Sequence, residues 1–172
     1  MTEIDEFRAA KDHMFVHDAD SPIPDDGRDD FQGLKYFQPD AGFVIEAQVE
    51  PPTVSEPLRM PTSTGDEVVY ERFGVARFTV DGAPAQLTLF STDGEGDLFV
   101  PFRDATSGHD TYGAGRYIEV HQPHGDHVEL DFNYAYNPYC AYSEAYSCPL
   151  PPLENWLKVP IRAGEKVYAD HD

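Results

Sequence analysis

The stretch EVVYERFGVARFTV, from Glu67 to Val80, is followed by Asp81-Gly82 and then by a run rich in apolar and β-branched residues from Ala85 to Ser91. Residues two apart share a face of a strand. Tyr70, Arg72, Gly74, Ala76, Phe78 and Val80 therefore lie on one side, and Val69, Glu71, Phe73, Val75, Arg77 and Thr79 on the other. Neither side is cleanly polar, so the strand is expected to bend at Gly74 and to serve two environments. Asp81-Gly82 is a strong two-residue hairpin signal, because both positions of such a turn need positive φ.

The same grammar extends outward on both sides. Further strands are expected at Gly42 to Val49, Asp97 to Phe102, Gly115 to His121, His127 to Asn133 and Trp156 to Arg162. Asp93-Gly94-Glu95-Gly96 and His124-Gly125-Asp126 supply turns between them. With no long helical segment between the strands, the expected fold is mainly β: an antiparallel barrel or sandwich.

Ahead of the strands, Ile4 to Phe15 spaces Ile4, Phe7 and Met14 or Phe15 for an amphipathic helix. Thr2 is placed to cap it, and Glu3, Asp5 and Glu6 suit its first turn. The proline- and aspartate-rich DADSPIPDDGRDD, Asp18 to Asp30, reads as a surface connector. It lacks the twelve-residue pattern and closing Glu of a Ca²⁺ loop. The expected organisation is one domain, with a helix over 1–16, an acidic connector over 17–30 and the β portion over 31–172.

Charge narrows the range of partners. The chain has 32 acidic and 12 basic residues among 172, a formal net charge of -20, and only four of its bases are lysines, Lys11, Lys35, Lys158 and Lys166. Nucleic acid and anionic membranes are excluded as partners, because phosphates would be repelled. Molar salt shortens the Debye length to about 3 Å and relieves the self-repulsion of such a chain. The composition thus points to a halophile, an archaeon with a salt-filled cytoplasm. The N-terminus has no apolar signal region, and no apolar run approaches the roughly 20 residues of a membrane span. The expected location is cytoplasmic.

Two segments carry more chemistry than scaffolding needs. In FRDATSGHDTYGAGRY, Phe102 to Tyr117, glycines at 108, 113 and 115 and two arginines accompany several hydroxyls. Exposed N–H groups with Arg116 would receive a carboxylate or phosphate. The competing reading is that Arg103 and Arg116 pair with Asp104 or another carboxylate and pin the loop. Neither a P-loop nor a dinucleotide fingerprint is present, since no Lys follows the glycines and no helix follows the turn.

In LDFNYAYNPYCAY, Leu130 to Tyr142, Asp131 and Asn133 share a face at a strand end while Tyr134 and Tyr136 continue the other parity. That face either lines a polar cavity walled by tyrosines or simply caps turns. The expected ligand-binding set is Arg103, Asp104, Thr106, Ser107, Tyr112, Arg116, Asp131, Asn133 and Asn137.

No metal is expected. Cys140 and Cys148 lack the spacing of a zinc site, and His121, His124 and His127 span a hairpin tip. No cofactor is assigned. Ser107 and Cys140 sit in no nucleophile elbow.

The two segments, with CPLPPLENWL at Cys148 to Leu157 and PIRAGEKV at Pro160 to Val167, resemble the family known as domain of unknown function 1684. KDHMF at Lys11 to Phe15, SPI at Ser21 to Ile23 and FQGLKYF at Phe31 to Phe37 agree more weakly. The resemblance covers most of the chain and implies full-length membership of a family found in archaea and bacteria without an established activity. It places Asp104, Thr106, Ser107, Thr111, Tyr112, Gly115, Arg116, Asp131, Asn133, Asn137, Cys140 and Cys148 in the family's motif core. His109-Asp110 and the three-histidine turn lie outside it.

Three functions follow as expectations. The first is a module binding a small polar or anionic ligand through Arg116. The second is a hydrolase with Asp104 or Asp131 as base and Arg116 as stabiliser. The third is an interaction domain presenting the stiff CPLPP segment.

Overall fold

The strand from Glu67 to Val80 (β3) forms as its alternation requires, and it turns through Asp81 and Gly82 into β4, Ala83–Ser91. Both turn residues have positive φ, 49° and 80°, and Val80 pairs with Ala83. Between Arg72 and Gly74 the register against β4 slips, which is the expected bend. A Cβ on Gly74 would stand 2.9 Å from the Glu50 carbonyl oxygen, so the neighbouring strand can approach only because that atom is missing.

The bend gives β3 two partners on its other edge. Its first half pairs with β2, Leu58–Pro61, and its second half with β1, Val44–Glu50. β5 (Leu98–Phe102), β6 (Arg116–Val120) and β7 (His127–Asp131) complete an antiparallel sheet in the order β6-β5-β4-β3-β1-β7, with β2 alongside β3. The sheet curls into a half-barrel, bringing β6 and β7 near each other. Its inner face is filled by Ala76, Phe78, Leu87, Leu89, Val100, Phe102, Ile118, Leu130 and Phe132, all buried in one cluster.

This computed structural model describes residues 2–92 and 96–168. The turn expected at 93–96 falls largely outside the described residues.

One helix, α1, runs from Glu3 to His17, with Thr2 and Asp5 forming a reciprocal capping box. Only Phe15 of the helix is fully buried, in a second cluster with Ile23, Ala141 and Tyr142. Polar ties hold the rest: Arg8 Nη1 donates to the Phe37 carbonyl at 3.0 Å, and Asp12 Oδ1 accepts from Leu34 N at 3.0 Å. Among the described residues no helix is long and apolar enough to cross a membrane.

One expected strand does not form. Trp156 to Arg162 follows a 3₁₀ turn at Leu153–Asn155 and makes only an isolated parallel bridge, Trp156 with Arg103. Pro160 has no N–H for a ladder. Ile161 N instead donates to Asp104 Oδ2 at 2.6 Å, and the Ile161 carbonyl turns to the Arg116 side chain at 2.9 Å. Similarly, β7 stops two residues early, because Asp131 caps a 3₁₀ turn at Phe132–Tyr134. β2 was not expected from its short, proline-ended sequence.

Candidate functional site

Arg116 opens β6 and faces the interior, where it is 0 % exposed. Nη1 donates to the carbonyls of Ala163 and, at 3.1 Å, Glu165. Nη2 donates to the Ile161 carbonyl at 2.9 Å and to Asp104 Oδ1 at 3.5 Å. Burial pulls its pKa below the usual arginine range, while Asp104 opposes the shift.

Asp104 is equally enclosed. Its carboxylate accepts from Thr106 N and Oγ1 at 3.2 and 2.8 Å, from Ile161 N at 2.6 Å and from Ser107 Oγ at 3.4 Å. Thr106 in turn shares a hydrogen bond of 2.9 Å with Thr111. Gly115 admits the crowding: its φ is 109°, and a Cβ there would fall 2.6 Å from the Phe102 carbonyl oxygen. Arg103 lies over the Trp156 ring at 4.3 Å. The loop's hydroxyls and arginines are thus bonded to each other and to the C-terminal segment.

The second segment also spends its polar groups internally. Asp131 Oδ1 accepts from Asn133 N and Nδ2 at 3.1 and 3.0 Å. The Asn133 amide grips the Asp40 backbone, accepting at 2.9 Å and donating at 3.0 Å. Asn137, 1 % exposed, donates to Tyr142 Oη and the Lys166 carbonyl at 3.3 and 3.0 Å.

The two segments do meet. Tyr117 and Tyr136 exchange backbone hydrogen bonds of 2.9 Å along the free edge of β6, and Tyr112 Oη lies 3.6 Å from Cys140 Sγ. The hollow they frame lies on the opposite face of β6 from Arg116. One residue on, the alternation turns Tyr117 outward, and Glu119 and Phe99 of β5 follow it.

There they form a cleft of about 780 Å³ with Tyr70, Tyr136, Tyr139 and Tyr146, roofed by Phe7, Ala10 and Met14 of α1. The rings are contiguous: Tyr70 to Phe99 is 5.4 Å between centroids, Phe99 to Tyr117 is 4.8 Å and Tyr117 to Tyr136 is 5.7 Å. Tyr139 and Tyr146 pack edge to face at 5.3 Å.

Few polar groups reach the cleft. Tyr136 Oη donates to Glu119 Oε1 at 2.8 Å. Lys11 Nζ sits 5.2 Å from the Tyr136 ring and forms an ion pair with the buried Glu165. Cys148 adds a thiol whose pKa burial pushes up to about 11, while Cys140 N donates to its Sγ at 3.3 Å. Burial also raises the Tyr117 and Tyr136 hydroxyls well above the ordinary tyrosine range.

Phe7, Glu119 and Tyr136 are shared with an adjoining groove of about 790 Å³, also lined by Glu3, Glu6, Glu129 and Asp131. Of the nine residues expected to bind a ligand, only Asp131 lines this groove, and none lines the aromatic cleft. Asp104 and Arg116 line neither.

Two important residues escaped notice in the sequence. Glu165, 1 % exposed, accepts from Asn137 N at 3.0 Å and Tyr142 Oη at 2.8 Å besides Lys11. Asn155 accepts from Thr88 N at 2.7 Å and donates to the Thr88 and Pro101 carbonyls at 3.0 and 2.8 Å, bridging β4 to β5 where they diverge. Both lie in stretches that carry the family resemblance, which was the available signal. Among the described residues no group of three or more His, Cys, Asp or Glu side chains is arranged to hold a metal ion.

Fold and cleft together define a small half-barrel domain with a helix-roofed aromatic hollow on the outside of its sheet. The chain belongs to the family described as "Protein of unknown function (DUF1684)", which matches residues 29–166. It is also similar to an uncharacterized protein of Haloarcula marismortui solved by solution NMR, with 41 % identity, a TM-score of 0.76, and coverage of 98 % of this chain and 95 % of that one. No curated protein matches the chain.

Proposed function

We propose that the protein is a small-molecule-binding module, working in a salt-rich cytoplasm, whose ligand lies in the aromatic cleft and has a largely apolar body. The observation carrying this is the open hollow of about 780 Å³ walled by contiguous rings. Such a volume matches the range of about 300–1,000 Å³ typical of ligand pockets, where a few polar groups fix orientation.

Binding through Arg116, as the sequence suggested, has less support, because its guanidinium is enclosed and engaged with the chain's own carbonyls. Hydrolysis is weaker still. Its proposed base Asp104 lines neither cleft nor groove, and Asp131, on the groove, shares no cavity with Arg116. The CPLPP segment gives an interaction role little surface, since Pro149 walls the cleft and Pro151 is buried.

The test is fluorescence titration with the neutral dye N-phenyl-1-naphthylamine, with thermal unfolding followed from low to molar KCl. Saturable binding is expected, along with a melting temperature that rises with salt. Ala10→Trp, which places an indole in the cleft from an exposed helix position, should weaken binding at least tenfold at an unchanged melting temperature. Folded protein that fails to saturate, or an Ala10→Trp variant that binds as well, would overturn the reading.

A further inference from the structure

Resting on that reading, we infer that the cleft's ligand is an organic cation: an apolar or aromatic body carrying an ammonium or similar group directed at Glu119. Ring faces carry negative quadrupole potential and attract a cation within about 6 Å of the centroid, and aromatic cages use this to bind quaternary ammonium groups. Tyr70, Phe99, Tyr117 and Tyr136 form one wall, tilted or packed edge to face, and Tyr70 and Tyr136 are its more exposed rings.

The charges in and beside the cleft have the matching sign. Among the described residues Lys11 is the one basic residue in the cleft's lining, and the carboxylate of Glu165 already balances it, so none of them leaves a free positive charge for an anion. Glu119 stands at the border with the neighbouring groove and is exposed, and Tyr136 is its one side-chain donor, on Oε1. The wall beyond it is formed by Glu3, Glu6, Glu129 and Asp131, with His121 its one basic group, hydrogen-bonded to Asp97 at 2.9 Å. An anion entering here would meet carboxylates on its path, whereas a cation with an apolar body has a ring-lined bed for one end and Glu119 for the other. The aromatic cleft supplies the binding surface, and the carboxylates decide which charge it accepts.

The experiment is displacement of bound N-phenyl-1-naphthylamine at fixed molar KCl. The displacers are phenyltrimethylammonium, its neutral isostere tert-butylbenzene, and benzenesulfonate. Phenyltrimethylammonium should displace the dye at a roughly tenfold lower concentration than tert-butylbenzene, as a desolvated cation–π contact predicts, and benzenesulfonate should displace least. Glu119→Gln keeps the acceptor for Tyr136 and should erase the preference for the cation over tert-butylbenzene.

Displacement by tert-butylbenzene with no preference for the cation, or a preference unaffected by Glu119→Gln, would overturn the cation inference and leave the cleft reading standing. Absence of dye binding to folded protein would remove both.

Discussion

The two faces of β6 treat charge in opposite ways. Arg116 points inward and is bound to Asp104 and three backbone carbonyls with no exposed surface, whereas Tyr117 and Glu119, on the alternate parity, face a cleft open to solvent. A buried cation needs partners within the protein, and Arg116 finds them for both terminal nitrogens though not for Nε, so its surroundings are fixed by folding. The rings of the other face have no such requirement: Phe99 and Tyr117 are largely buried, while Tyr70 and Tyr136 keep part of their surface open to the cleft. The conspicuous charge is therefore structural, and the plainer aromatic side is the accessible one.

The sharpest way to break this comparison is Arg116→Ala. It leaves Asp104 buried without its cation and three carbonyls without a donor, and breaking a buried pair in this way costs about 3–5 kcal/mol. Denaturant unfolding in molar KCl should show that loss. A variant of wild-type stability would mean that the inner face is not held by this side chain.

Glu165 connects the two faces. Its carbonyl accepts from Arg116 at 3.1 Å, and its carboxylate holds Lys11 of the helix that roofs the cleft. Glu165→Gln retains an acceptor for Asn137 N and Tyr142 Oη but removes the partner of a largely buried ammonium. The expected cost is about 1–3 kcal/mol, as for a buried polar group left unsatisfied. Dye affinity should fall several-fold as α1 loosens. Lower stability with unchanged dye affinity would show that the roof does not depend on this pair.

Much of the fold was legible because it follows from local rules. Period-two alternation located β3, Asp81-Gly82 located its hairpin, and the mixed polarity of both faces located the bend at Gly74. The failure at Trp156 to Arg162 has a non-local cause: the run has strand composition, but its neighbour is the loop after β5, and its backbone bonds to Asp104 and Arg116.

The site was half legible. The segments around residues 110 and 135 do touch, through Tyr117 with Tyr136. Sequence alternation alone does not say which parity of β6 faces inward, because Arg116 and Tyr117 are both plausible lining residues until the curl of the sheet is known. The roof is less legible still, since Phe7, Ala10 and Lys11 lie about a hundred residues from the strands they cover.

The smallest expected effect is a pH dependence confined to the cleft side. The Cys148 thiol rises from an ordinary 9.0 to about 11 through burial, so the folded state holds its proton where the unfolded chain releases it. Its contribution is complete below the unfolded value and is lost as pH climbs toward the folded one. Stability should therefore decline as pH rises through that window. One full proton would give a slope of about 1.4 kcal/mol per pH unit, and partial burial of the thiol keeps the change below that. The buried tyrosine hydroxyls, also raised by burial, begin to release protons on unfolding in the same range, so the thiol is read as the difference between wild type and a variant that lacks it. Urea unfolding of wild type and Cys148→Ala between pH 9 and 10 is the measurement, with the variant expected to show the shallower slope. An identical slope in both proteins would place the alkaline sensitivity elsewhere in the chain and detach it from the cleft wall.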